Sequence, residues 1–259
     1  WAETQVRRRW EDARSRDAET SGADDGPGST GAADLVGALV AADSGLSLSE
    51  ALDVVKDVMT AGYETTASTL WTAALLLGER PDVAERVAAE ARAAQLTMPR
   101  RSADGGNGET QYSSVPSVTD RHVAFSAAMA APTSLAYTRA CVLETARLYP
   151  AAPLLLRVAR EASSIGDVHV AAGSGIVSSP VCLGRDPEIW AEPDEFKPER
   201  FLRGEGSDDG GGGESSRAFV PFGSGPRYCV GRPLAVAIST LAIAAMVADE
   251  VGPAESPVQ

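Results

Sequence analysis

A chain of 259 residues, 44% hydrophobic and 23% charged, has the composition of an ordinary globular protein and the length for one large domain or two small ones. Its 23 basic residues against 36 acidic ones leave a formal charge of −13, which argues against nucleic acid as a partner, since a phosphate backbone demands broad basic patches. Three cysteines (Cys141, Cys182, Cys229) with no C-x-x-C pair, and two distant histidines (His122, His169), exclude a disulfide framework, a zinc ribbon and a histidine metal cluster.

The first residues, Trp1-Ala2-Glu3-Thr4, carry neither an initiator methionine nor a leader-like apolar run, and read as the interior of a longer polypeptide. Residues 21–33, rich in Gly, Asp and Ser, read as a loop. Ser47-Leu48-Ser49-Glu50 is a capping box and opens a helix over about 48–77, long enough to cross a whole domain. Gly78 is expected to stop it, and Pro81 sits where a first-turn proline belongs, starting a helix to about Ala94. A second loop covers 100–116, inside a longer insertion to about 132. A third helix is predicted over about 134–149, closed by Pro150.

Valines and isoleucines punctuated by glycine over 165–179 predict a short hairpin. Four consecutive glycines, 210–213, mark a third loop at 204–216. The last helix, about 232–247, contains an apolar run broken by Ser239 and Thr240 and shorter than the roughly 20 residues of a membrane span. The fold class is mainly α with a small β-sheet component.

The chemistry concentrates in Phe222-Gly223-Ser224-Gly225-Pro226-Arg227-Tyr228-Cys229-Val230-Gly231. A cysteine just before a helix is exposed to its free N–H groups and dipole, which favour thiolate. Gly225 and Gly231 remove side chains where the backbone turns tightly or a flat ligand approaches. Arg227 offers a cation to a carboxylate, and Phe222 an apolar wall. A buried structural cysteine in a glycine-rich turn is the plainer reading of a lone cysteine. A phosphate loop fails, because neither a G-x-G-x-x-G register nor a following Gly-Lys-Ser/Thr is present.

Position for position, the pattern F-x-x-G-x-R-x-C-x-G resembles the haem-binding loop of the cytochromes P450, and three further motifs of that family precede it in the expected order. Ala61-Gly62-Tyr63-Glu64-Thr65-Thr66 lies mid-helix, although Gly and Thr are poor helix formers; in the family this acid–alcohol pair lines the oxygen pocket and relays protons. Glu144-Thr145-Ala146-Arg147 puts an acid and a base on one helix face, and the family buries that pair against the arginine of Pro198-Glu199-Arg200-Phe201. Arg157, after Leu154-Leu155-Leu156, stands where the family contacts a haem propionate.

The resemblance implies a partial cytochrome P450 fold over 1–259, with haem b (iron protoporphyrin IX) held by Cys229 as the metal ligand. Arg227, Arg157, Phe222, Gly223, Gly225, Gly231 and Gly62 would surround the cofactor, Glu64 and Thr65 would be catalytic, and Glu144, Arg147 and Arg200 would form a structural network. It implies a monooxygenase that inserts one oxygen atom of O2 into a small organic substrate, with electrons from a reductase or ferredoxin. Two other readings stand beside it. One is a haem-thiolate enzyme that rearranges hydroperoxides, against which Glu64-Thr65 argues; the other is a non-catalytic remnant. Whole members of the family are nearly twice as long, so this chain alone is not expected to be a competent enzyme. A full-length parent is compatible with a membrane anchor or transit peptide, but this chain has neither a targeting segment nor a membrane segment. Lys197, Arg203 and Arg232 are candidates for a basic face toward an acidic electron donor. Gly184 departs from the family, which often places histidine before Arg185-Asp186-Pro187.

Overall fold

The structure, a computed structural model, describes residues 2–20, 35–40, 44–94, 135–202 and 217–250. The expected loops at 21–33, 100–116 and 204–216 lie outside these residues, as does Arg203. The described part is mostly helical with two small antiparallel sheets. Its elements are α1 (Ala2–Thr20), α2 (Leu35–Val40), α3 (Leu48–Glu79), α4 (Pro81–Ala93), α5 (Ala136–Leu148), β1 (Leu155–Val158), β2 (Ser163–Ile165), β3 (Val168–Val170), β4 (Gly175–Ser178), α6 (Pro180–Gly184), α7 (Glu199–Leu202), a 3-10 turn (Gly225–Arg227) and α8 (Arg232–Glu250). Among the described residues no helix is long and apolar enough to cross a membrane.

Residues 1–64 and 65–259 form two compact units, with α3 continuous through the boundary. In the first, Val6 of α1 and Val40 of α2 are buried with Ala51, Leu52 and Val55 of α3. Neither α1 nor α2 is anticipated by sequence reasoning: among its described side chains, α1 turns Val6, Trp10 and Ala13, at i, i+4 and i+7, toward this cluster. The capping box is formed as its sequence implies. Ser47 donates through N–H (2.8 Å) and hydroxyl (2.7 Å) to the Glu50 carboxylate, and the Glu50 N–H donates back to Ser47 Oγ at 3.3 Å. These bonds favour the ionised carboxylate and hold the Glu50 pKa below its ordinary value.

In the second unit α3 ends at Glu79, one residue beyond Gly78, and α4 begins with Pro81 at its first turn. Val83, Val87, Ala88 and Ala91 form the buried stripe of α4, spaced as one face of a helix requires. Val83, Val87 and Ala88 pack with Ala73 and Leu77 of α3, Tyr137, Cys141, Val142 and Leu148 of α5, and Ile243 and Val247 of α8, while Ala91 packs with Leu135 and Ala244. A second cluster joins the other side of α5 (Ala140, Leu143, Ala146) to Trp190, Phe201, Ala218, Phe219 and Val236. Buried on both sides, α5 is the central helix of this unit.

Two local features have long-range causes. The N-terminus of α5 has no cap from its own sequence, Leu135 supplying no side-chain hydrogen bond. Glu90, on α4, fills the role from 47 residues away in sequence: its carboxylate accepts from the N–H groups of Tyr137 and Thr138, both at 2.8 Å, and from the Thr138 hydroxyl at 2.6 Å. The strands also differ from expectation. The segments 168–170 and 175–178 do not pair with each other. β3 pairs with β2 across Gly166-Asp167, with Gly166 at φ 55, the first central position that a type II′ turn reserves for glycine. β4 pairs instead with β1, Arg157 opposite Ile176, enclosing the β2–β3 hairpin. The apolar run before Arg157 thus belongs to a strand.

Replacing Glu90 with Ala leaves the first N–H groups of α5 unsatisfied next to the fully buried Thr138. The expected loss is about 1–3 kcal/mol of unfolding free energy, read as a lower denaturant midpoint with an unchanged slope.

Candidate cysteine-ligand site

Backbone hydrogen bonds fold the cysteine loop onto itself. The Gly223 N–H donates to the Val220 carbonyl at 3.0 Å, the Tyr228 N–H to Gly225 at 3.0 Å and the Cys229 N–H to Phe222 at 2.9 Å. Gly223 (φ 75) and Gly225 (φ 67) adopt left-handed backbone that other residues resist, so these two glycines create the turn that returns the chain to Cys229. Beyond it, the Arg232 N–H donates to the Cys229 carbonyl at 3.3 Å and α8 begins. Phe222 packs against the second core cluster, whereas residues 224–230 are exposed. Beside the loop lies a cleft of about 520 Å³ lined by Phe219, Phe222, Tyr228, Arg217 and Arg232, among others.

The three cysteines have different environments. Cys141 is fully buried in α5, and burial pushes its thiol far above the ordinary range, which disfavours a thiolate. Cys182 is exposed within the short α6, its N–H bonded to Ser179 Oγ. Cys229 is exposed at the mouth of a closed loop. A Cβ on Gly231 would stand 3.8 Å from its Sγ, so the glycine leaves that flank of the sulfur open. An accessible sulfur, a self-bonded loop and a bare backbone beside it fit a single cysteine ligand to a flat metal-bearing group. Burial and the neighbouring Cys229 both push the Tyr228 phenol pKa up.

Behind the loop the structure unites Glu144, Arg147 and Arg200. Arg147 donates to Glu144 through Nε and Nη2, both at 2.7 Å, and Arg200 Nε donates to Glu144 Oε1 at 3.2 Å. The Lys197 N–H adds a further bond to that oxygen at 2.9 Å. The side chains of Glu144 and Arg147 are wholly buried and that of Arg200 nearly so. Arg147 also donates to the carbonyls of Gly184, Pro193 (2.7 Å) and Glu195 (3.1 Å), and lies 5.1 Å from the Trp190 ring centre. Arg200 Nη2 donates to the carbonyl of Glu192 at 2.8 Å. Glu192 has φ 49, the one positive φ outside glycine among the described residues, and its carbonyl bond helps hold that conformation. At Gly184 an added Cβ would run into the Arg147 carbonyl, so in this packing the glycine admits a close approach to α5.

The remaining expected site residues lie on α3, β1 and the 3-10 turn. Gly62, Glu64 and Thr65 are exposed on α3, and the Thr65 carbonyl accepts from the Thr69 hydroxyl at 3.0 Å. Arg157 is exposed on β1 and donates to the Leu156 carbonyl at 2.7 Å; Arg227 is exposed in the 3-10 turn. The expected basic face is altered. Lys197 pairs with Glu192, and Arg232 is 7% exposed, enclosed by aromatic rings. Sequence reasoning had one signal for this: a cation in the first turn of a helix opposes the dipole and needs another reason to be there.

Glu144→Ala would strand two buried guanidinium groups. A loss of about 3–5 kcal/mol is expected, read as aggregation on expression or as a collapse of the unfolding midpoint. Recovery of normally folded protein would reject the structural role of the network.

The chain is similar to known proteins of one family. The family profile described as Cytochrome P450 matches residues 14–249. Cyclooctat-9-en-7-ol 5-monooxygenase of Streptomyces melanosporofaciens is 32% identical over 238 residues, 90% of this chain and 43% of the relative. Putative cytochrome P450 137 of Mycobacterium tuberculosis is 35% identical over 202 residues, covering 76% and 33%. Cytochrome P450 3A40 of Oryzias latipes is 32% identical over 201 residues, covering 78% and 34%. The chain thus spans less than half the length of these relatives. A profile match over most of the chain, with relatives above 30% identity, places it in the cytochrome P450 family.

Proposed function

We propose that this chain carries the cysteine-ligating part of a monooxygenase that inserts one oxygen atom of O2 into a small organic substrate, using electrons from a reductase or ferredoxin. The observation that carries the reading is the exposed Cys229 in its self-bonded loop, with Gly231 leaving the sulfur's flank open. The name of the Streptomyces relative, a monooxygenase, supports the reaction class. A haem b ligated by thiolate supplies electron density that favours O–O cleavage.

The chain's own residues divide the remaining tasks. Cys229 supplies the thiolate, and the bond from its N–H to the Phe222 carbonyl fixes its backbone. The exposed guanidinium groups of Arg227 and Arg157 are suited to pair with propionate carboxylates. Phe222, Gly223 and Gly225 shape the loop, and Gly62, with nothing within 4 Å of an added Cβ, leaves a bare patch on α3. Glu64 and Thr65 hold and pass protons, the carboxylate as reservoir and the hydroxyl as both donor and acceptor. Glu144, Arg147 and Arg200 act on the chemistry only through the fold.

The test is the absorption spectrum of the reduced, carbon-monoxide-treated protein. Cys229→Ser is expected to abolish the thiolate-type band, whereas Cys141→Ser and Cys182→Ser keep it. A band that survives Cys229→Ser rejects the assignment.

For Thr65, the measurement is coupling in the full-length protein with its electron donor. Thr65→Ala is expected to retain haem and divert electrons to hydrogen peroxide, lowering product formed per electron consumed. Unchanged coupling removes Thr65 from proton delivery. Turnover of an organic hydroperoxide without any electron donor, in place of O2-dependent oxygenation, favours the rearranging class.

A further inference from the structure

Arg232 opens α8, where the helix dipole favours an anion, and it is almost fully buried. Burial, and next the charge of Arg139, push its pKa down, so its charged state there needs compensation. Aromatic faces provide part of it. Its guanidinium carbon lies 5.8 Å from the Phe219 ring centre, 5.5 Å from Phe222 and 5.8 Å from Tyr228, and Nη1 contacts the Tyr228 hydroxyl oxygen at 3.3 Å. These are cation–π distances, and such contacts strengthen when the cation is desolvated.

The residues of this cage are the ones that fix the cysteine. Phe222 accepts the Cys229 N–H through its carbonyl, Arg232 donates its own N–H to the Cys229 carbonyl, and Tyr228 adjoins Cys229 in the chain. The main chain of Cys229 is therefore held on both sides by residues whose side chains meet in one cluster. We propose that Arg232 is a positioning residue for Cys229: its caged guanidinium ties the incoming and outgoing arms of the cysteine loop to the start of α8 and so sets where the thiol stands.

The inference presupposes the haem-thiolate reading only for its functional meaning; the position of the thiol is measurable without haem. In the haem-free chain, the alkylation rate of Cys229 is followed by mass spectrometry, with Cys182 as internal reference. Arg232→Met, which keeps an apolar stem and removes the cation, is expected to raise the Cys229-to-Cys182 rate ratio several-fold. Arg232→Lys is expected to restore it toward the unmodified chain. Tyr228→Leu, at a partly exposed ring, is expected to change the ratio in the same direction and decides the matter if Arg232→Met does not fold. A ratio unchanged in the folded variants, or a lower melting temperature with no change in the ratio, overturns the proposal. In the haem-loaded protein, Arg232→Met is expected to convert faster from the thiolate-type carbon monoxide band to a form lacking it. Absence of that band from the unmodified protein rejects the haem-thiolate reading, while the alkylation ratio still decides the role of Arg232.

Discussion

The carboxylate of Glu144 is the constraint on which the second unit depends. A buried carboxylate survives only if its charge is met and its lone pairs are filled. Here four donors converge on it: two from Arg147, one from Arg200 and the Lys197 N–H. Two guanidinium groups against one carboxylate leave an excess of positive charge, which the carbonyl oxygens of Gly184, Glu192, Pro193 and Glu195 absorb. The irregular stretch between α6 and α7 is thereby fastened to the central helix by its own backbone. A network of this kind contributes less to net stability than to the uniqueness of the packing, because any slip in register leaves a charge unpaired.

The cysteine loop is built on different physics. Glycine turns and short backbone bonds give its path, and aromatic faces pack near the buried Arg232 that follows it. The two systems share the second core cluster, where Trp190 faces Arg147 while Phe219 and Phe222 face Arg232. The tilted pairing of Phe201 with Trp190 and its edge-on pairing with Phe219 complete a row of rings between them. Rigidity at the network can thus reach the loop through packed rings, without a continuous chain of polar contacts.

Much of this was legible in the sequence where the cause is local. The capping box at Ser47, Pro81 at a helix start and the i,i+3 spacing of Glu144 and Arg147 are each set by neighbours within one turn. Partners distant in sequence were not readable by pattern alone. Nothing near Leu135 announces that Glu90 caps α5, and the valines of 165–179 do not reveal that their partners lie at 155–158 and 163–165. Arg200 as the third member of the network was available only through family resemblance. Arg232 reads as a surface cation because the rings packed near it, Phe219, Phe222 and Tyr228, all precede its helix and share no regular element with it. Glu64 and Thr65 lie on α3, the long helix that the sequence predicts for them.

The bonds from Arg147 to Pro193 and Glu195 have an evolutionary consequence. Both residues enter the network solely as backbone carbonyls, an acceptor that every amino acid owns. Mutation at these two positions can therefore alter size, charge and polarity without touching the acceptors that Arg147 uses, so long as the path of the main chain survives. Arg147 itself has no such latitude, since no other side chain presents a planar fork able to serve a carboxylate and several carbonyls together. Sequence drift in this region is thus permitted on one side of each bond and forbidden on the other, which lets an exposed surface diversify over a fixed interior.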